Sequence, residues 1–264
     1  MGRGLLDEET LRLINASLPD VYGFSWVLHW TPDVVSMNFP PNSTVPAAST
    51  CFHDVQNTLA ETRAALFECY AHAIYYRVVA APPDEYMAVF YERYYANDVA
   101  YRLYAAAEHL AAAIEAMLEI SPQALKPHRG RRTSRQAVLA AYLQAEKREH
   151  PVTDAVRRLG QSRDWQEAMT LRAALVHEQP PLLQGTGIVY ERGPRWKATS
   201  GGGQRLSIGG GDKPTLSTET IVDFLHRATG EFLSTYSACL DVHTKILATH
   251  RLTMNDAGEV IVRL

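Results

Sequence analysis

The chain has 264 residues, of which 46% are hydrophobic and 21% are charged, and its formal net charge is -3. This length supports one large or two small domains whose hydrophobic core needs neither a disulfide nor a metal for stability. The near balance of 26 basic and 29 acidic residues excludes binding to nucleic acid or anionic membranes through bulk charge, so only a local basic patch can serve that purpose.

The N-terminal segment has no apolar signal-peptide core, because it turns acidic and amphipathic after its first few residues. No apolar run in the chain approaches the ~20 residues that cross a bilayer. We therefore expect a cytoplasmic protein that has no membrane partner.

The cysteines and histidines form no recognisable metal motif. Cys51, Cys69 and Cys239 are far apart and lack a C-x-x-C spacing, which favours reduced core thiols over a disulfide framework or a zinc site. None of the ten histidines forms H-x-x-x-H or H-E-x-x-H. A helical bundle can still gather metal ligands from different helices, but the spacing of these cysteines and histidines indicates no metal site. We expect neither a metal nor a cofactor.

The first half of the chain predicts two long helices. Prolines at 82 and 83 separate them, and Asp84 stands at the N-cap position of the second. The predicted elements in order are an amphipathic segment at 8–18, a proline-rich cap up to 47, a helix at 49–80 and a helix at 84–120.

The second half predicts more helices and one glycine-rich interruption. A basic loop comes first, Thr133 or Ser134 caps the next helix, and Ser162 is the N-cap candidate of the fourth main helix. The remaining predicted elements are a short helix closed by Gly160, a β-hairpin insertion or flap at 185–215, a last helix from about 215 to 250 that can bend at Gly230, and a strand-like tail.

Long amphipathic helices joined by proline-bounded loops indicate an all-α, up-and-down helical bundle with a β-hairpin insertion, and not an α/β fold. We expect an N-terminal cap over 1–47, a helical domain over 48–250 that includes the insertion at 185–215, and a C-terminal tail over 251–264. No repeat of fixed period occurs, which argues against a solenoid.

Aromatic residues recur along the second long helix. Helical spacing places Phe90, Tyr94, Tyr101 and Tyr104 near one side. Such a stripe is more often part of a bundle core than a surface on which nucleic-acid bases stack, so the core interpretation is favoured here.

The most basic stretch of the chain lies between the second and third long helices. It contains the residues that we single out as candidate RNA-binding groups: Arg129, Arg131, Arg132 and Arg135, with Lys126 and His128 beside them. Arginines on an inter-helix loop are suited to contact phosphates. A solvated loop without a ligand is an equally good interpretation.

Arg172 and His177 are the residues with the strongest indication of a chemical role. They lie near the end of the fourth main helix, with four residues between them. Through this R-x4-H spacing and the order of long helices over about 48–250, the chain resembles the HEPN domains, and in particular the Cthe_2314-like HEPN group. Arg102 and His109 also satisfy the looser form of the motif.

The resemblance implies a homodimer that cleaves RNA without a metal, as in defence or toxin nucleases. It makes Arg172 and His177 the catalytic pair, with His177 as general acid or base and Arg172 holding the phosphate charge. The chain departs from the motif at Ala173, where catalytic members usually carry a polar residue.

Two interpretations without catalysis remain open for this pair. Arg172 can form a surface ion pair, and His177 can be favoured by the negative end of the helix dipole. The alternative function is therefore a non-catalytic interaction or ligand-binding helical bundle.

Overall fold

The computed structural model describes residues 6–22, 39–177, 184, 195–207, 216–249, 253–254 and 260–261. In this part of the chain the all-α helical bundle is confirmed. The helices are α1 (Glu8–Ser17), α2 (Val45–Ile74), α3 (Glu85–Met117), α4 (Pro122–Arg129), α5 (Arg135–Glu146), α6 (Pro151–Gln161), α7 (Arg163–His177) and α8 (Thr218–Thr249).

Four short strands accompany the described helices. They form two antiparallel pairs, which are β1 (Arg195–Ala198) with β2 (Gln204–Ser207), and β3 (Thr253–Met254) with β4 (Val260–Ile261). Most of the predicted insertion at 185–215 lies outside the described residues, so the insertion as a whole stays a prediction. Residues 6–22 and 39–47 of the predicted 1–47 cap are described and include α1 and the start of α2, whereas most of the predicted 251–264 tail lies outside the described residues.

Local capping rules account for where most helices begin. The side chains of Asp84, Ser134 and Ser162 accept hydrogen bonds from backbone N–H groups three residues further on, at 3.0, 3.4 and 3.1 Å. Each bond satisfies one of the N–H groups that a helix start leaves without an intrahelical partner. The predicted caps of α3, α5 and α7 are therefore confirmed.

Other helix boundaries differ from the prediction. α2 begins four residues before Ser49 and ends in a π-helical turn at Tyr75–Val79. α6 continues past Gly160 to Gln161, and α8 runs through Gly230 without interruption. A single glycine costs a helix interior only about 1 kcal/mol, which the packing of a long helix offsets.

The chain divides into two compact units, and α2, α3, α7 and α8 contribute residues to both. The first unit comprises Met1–Leu18, Ala64–Ala100 and Glu167–His226. Its buried groups include Leu66, Cys69 and Leu225. Within it α2 and α3 meet where the Cys69 thiol lies 3.6 Å from the backbone oxygen of Glu92.

The second unit comprises Pro19–Arg63, Tyr101–Gln166 and Arg227–Leu264. Here α2 and α8 run antiparallel, since Ser49 Oγ lies 2.9 Å from His243 Nε2 and the Tyr236 hydroxyl donates to the backbone oxygen of Phe52 at 3.3 Å. The Phe52 ring stacks on His243 with centroids 4.9 Å apart. Phe52, Tyr236 and His243 are all fully buried and belong to the unit's core.

Candidate functional site

The candidate site lies in the second unit, at the turn that connects α4 to α5. Ser121 caps α4 and Pro122 occupies its first turn, where the missing N–H of proline has no cost. Gly130 has a φ of 49°, a left-handed conformation that glycine adopts without steric penalty. Ser134 then starts α5, so only residues 130–134 connect the two helices.

The prediction of a basic loop from residue 126 onward was wrong for its first part. Lys126, His128 and Arg129 lie on α4 and not in a loop. Pro127 lies inside this helix as the sixth of its eight residues, and its missing N–H costs α4 only one intrahelical hydrogen bond. The helix fixes these side chains relative to the turn that follows.

Four exposed cations lie on or beside this connection: Lys126, Arg129, Arg131 and Arg132, which we call the basic turn. The guanidinium of Arg132 donates to the backbone oxygen of His128 at 3.0 Å. No ion pair joins any of the four to a carboxylate in the described part of the chain. Their charges are therefore available to an external anion.

Arg135, the fourth predicted RNA-binding arginine, is placed differently. Its guanidinium donates to Glu115 Oε2 at 2.6 and 2.9 Å, and hydrogen bonding to this carboxylate raises its pKa. Its backbone N–H donates to Glu108 Oε2 at 3.0 Å. Arg135 is exposed as well, but its guanidinium is paired with Glu115, while Arg129, Arg131 and Arg132 have no carboxylate partner in the described chain.

A groove of about 430 Å³ runs beside the basic turn, between the end of α3, α4 and the start of α5. Lys126 and Arg129 line it together with Glu108, Glu115 and Arg135. Glu115 is only 9% exposed, and its Oε1 has no hydrogen-bond partner among the described residues. Sequence reasoning did not connect Glu108 or Glu115 with the basic residues, because neither glutamate forms a local motif with them.

Arg172 and His177 both lie on α7, in the first unit. Arg172 is half-buried and His177 is exposed. The helix remains regular through His177, and five steps of an ideal helix place the two side chains about 140° apart around its axis. One chain therefore does not direct both side chains at a single phosphate by helix geometry alone.

The aromatic side of α3 is not in the core, so that interpretation was wrong. Phe90 is 49% exposed, Tyr94 is 61% exposed and Tyr101 is 41% exposed. The buried positions follow a different stripe of small and aliphatic residues, which includes Val89, Ala96, Val99, Leu103 and Leu110. Small side chains let the helices approach closely, so the larger rings stay outside.

Buried polar groups of the first unit form a separate network. Arg77 donates to Glu92 at 2.8 and 2.9 Å and also pairs with Glu85 and Glu219. The hydroxyl of Thr218 donates to Glu92 at 2.5 Å. Burial raises the pKa of Glu92, while its bonds to Arg77 and Thr218 oppose that shift. No atom of this network is among the buried polar atoms that lack a hydrogen bond in the described chain.

The described residues contain no group of three His, Cys, Asp or Glu side chains that could hold a metal ion. None of the described helices is long and apolar enough to cross a membrane. All three cysteines are free thiols, and burial raises the pKa of Cys239 to about 12.

Comparisons with known proteins gave no match: no family model, no curated protein and no solved structure is similar to this chain. Its site must therefore be interpreted from its own residues.

Proposed function

We propose that the chain is an RNA-directed protein of HEPN-like fold that contacts the RNA backbone through the basic turn. The observation that carries the proposal is the set of exposed cations at that turn, none of which is ion-paired within the described residues. The planar guanidinium group of arginine matches the geometry of phosphate oxygens and can bind two of them at once. The net charge of -3 makes this local cluster the place where phosphate is attracted.

The proposed assembly is a homodimer, and an exposed aromatic stripe on α3 supports it. Tyr86, Phe90 and Tyr94 are 59%, 49% and 61% exposed and lie four residues apart. The pattern reads the same in both directions, so two antiparallel copies of α3 would place Phe90 on the two-fold axis and Tyr86 across from the partner's Tyr94. The three rings together expose on the order of 300 Å² per chain.

The proposed reaction is metal-independent cleavage of RNA by Arg172 and His177 of two subunits. A ribose 2'-hydroxyl attacks the adjacent phosphorus, which expels the 5'-oxygen and leaves a 2',3'-cyclic phosphate. One His177 accepts the hydroxyl proton, the other donates a proton to the leaving oxygen, and Arg172 stabilises the phosphate charge. The second subunit is needed because the two side chains diverge on one α7.

Binding of single-stranded RNA in EDTA tests the role of the basic turn. Changing Arg131→Glu together with Arg132→Glu should weaken binding at least tenfold and flatten its dependence on salt. Arg157→Glu with Arg158→Glu is the matched control, since both residues are exposed on α6 and the net charge changes equally. Equal losses in the two double variants would contradict the proposal.

Cleavage and dimerisation need their own measurements. His177→Ala should lower the rate of RNA cleavage by about 10²-fold, whereas His53→Ala, at an exposed histidine of α2, should leave it unchanged. Under mild oxidation, Phe90→Cys should crosslink two chains and Leu13→Cys, at another exposed apolar position, should not. A monomer in light scattering would remove the composite catalytic pair.

A non-catalytic ligand-binding bundle is the second candidate function. The groove lined by Glu115 and Arg129 favours it, as does the alanine at position 173. RNA binding without cleavage by wild-type protein would select this candidate.

A further inference from the structure

The groove beside the basic turn is lined by a buried carboxylate and by two cationic side chains. Its wall carries Glu115, a buried carboxylate with one oxygen held by Arg135 and the other without a partner among the described residues. Lys126 and Arg129 also line the groove and have no ion pair in the described chain. A ligand that satisfies both parts of the groove must bring a hydrogen-bond donor to Glu115 and an anionic group to Lys126 and Arg129.

The unpartnered oxygen of Glu115 is the unusual feature. Buried carboxylate oxygens nearly always accept a hydrogen bond, because an unsatisfied one costs free energy. Glu108 does not supply a donor, since its own carboxylate accepts the backbone N–H groups of Arg135 and Gln136 at 3.0 and 3.3 Å. The donor that completes Glu115 is therefore absent from the described protein.

We propose that this groove binds one nucleotide whose base carries an amino group, adenine or cytosine. The exocyclic amino group donates to Glu115 Oε1, and the phosphate lies against Lys126 and Arg129. The side chains of Leu125 and Val138 provide apolar contact for the ring. Choosing a nucleotide rests on the proposed RNA-directed function, because the same turn supplies the phosphate contacts.

The chemistry of the bases gives this site a preference. Carboxylates accept hydrogen bonds from the amino groups of cytosine and adenine. Uracil has one ring N–H between two carbonyl oxygens, and those oxygens repel a carboxylate. Glu115 Oε1 is covered from solvent, so binding includes a side-chain movement that uncovers it, as is common at interfaces.

Calorimetry with free nucleotides tests the site directly. AMP should bind about 10-fold more tightly than purine riboside 5'-monophosphate, which lacks only the amino group. AMP and CMP should likewise bind more tightly than UMP. Equal affinity for AMP and purine riboside 5'-monophosphate, or no binding of either at millimolar concentration, would overturn the proposal.

Two variants test the two parts of the site separately: Glu115→Gln tests recognition of the base, and Lys126→Ala tests the contact with the phosphate. Glu115→Gln keeps an oxygen toward Arg135 and turns an NH₂ toward the ligand, so the preference should reverse in favour of UMP. Glu149→Gln, at an exposed position outside the groove, should leave it unchanged. If Glu115→Gln does not fold, Lys126→Ala still tests the site, since it should weaken AMP several-fold and leave adenosine unaffected. An unaltered preference in Glu115→Gln, or equal losses for AMP and adenosine in Lys126→Ala, would contradict the assignment.

RNA oligomers distinguish this inference from the proposed function. Oligoadenylate and oligocytidylate should bind more tightly than oligouridylate of the same length. RNA binding without any base preference would overturn the nucleotide site and leave the RNA-directed function standing. Selective AMP binding without RNA binding would do the opposite.

Discussion

Arg77 in the first unit and the basic turn in the second use the same kind of charge in opposite ways. Arg77 is surrounded by Glu85, Glu92 and Glu219. Arg129 and Arg131 are exposed and have no carboxylate partner in the described chain. The difference teaches that the pairing of a cation, and not its presence, decides whether it stabilises the fold or is available to a ligand.

The cost of removing each cation should differ accordingly. Glu92 is only 4% exposed, so it depends on Arg77 and Thr218 for compensation of its charge. A buried carboxylate that loses its cation costs several kcal/mol, whereas an exposed arginine contributes little to stability.

Arg77→Met is therefore the most damaging change. We expect it to lower the free energy of unfolding by about 3 to 5 kcal/mol, since it leaves Glu92 buried and unpaired. Chemical denaturation measures this value. Arg131→Met is the matched control and should stay within about 0.5 kcal/mol of wild type. Similar losses in both variants would break the comparison between the two regions.

The sequence was sufficient for features that depend on neighbouring residues. Asp84, Ser134 and Ser162 could be assigned as caps because each bonds to an N–H only three residues away. It was not sufficient for α4, part of which was predicted as a basic loop, or for the exposed rings of α3. There the aromatic spacing looked like a core stripe, while the smaller residues beside it form the packed face.

The candidate site could be predicted only in part, for a similar reason. The exposed arginines are visible as a run of charge in the sequence. The pairing of Arg135 with Glu115 joins residues 20 positions apart, and no local pattern marks it. The divergence of Arg172 and His177 follows from the geometry of a regular helix at their spacing.

Buried histidines extend the comparison to pH. Burial lowers the pKa of His243 in the second unit to about 4, and it also lowers that of His72 in the first. The unfolded chain binds protons at His243 below about pH 6.5, and the folded chain does so only near pH 4. The stability that neutral His243 contributes should therefore be fully present above pH 6.5 and be lost as the pH falls toward 4.

His243→Leu should reduce this loss. From its shift, His243 accounts for about 3 kcal/mol between the two pH values, and denaturation at pH 7 and pH 4.5 measures most of it. His53→Ala removes an exposed histidine and should keep the wild-type dependence. An unchanged pH dependence in His243→Leu would show that other groups, such as His72, carry the effect.

The smallest expected change concerns how the basic turn is held. Its exposed cations are positioned by helix caps and not by ion pairs, and Ser134 accepts the Ala137 N–H at 3.4 Å. Ser134→Ala should cost about 1 kcal/mol of stability, because Glu108 still accepts two backbone N–H groups of the same turn. RNA affinity should fall a few-fold as the turn loosens. Ser162→Ala, at the cap of α7, should cost at least as much stability, because the Ser162 hydroxyl also donates to Glu231. It should leave RNA affinity unchanged. Equal affinity losses in both variants would mean that the cap of α5 acts only through global stability.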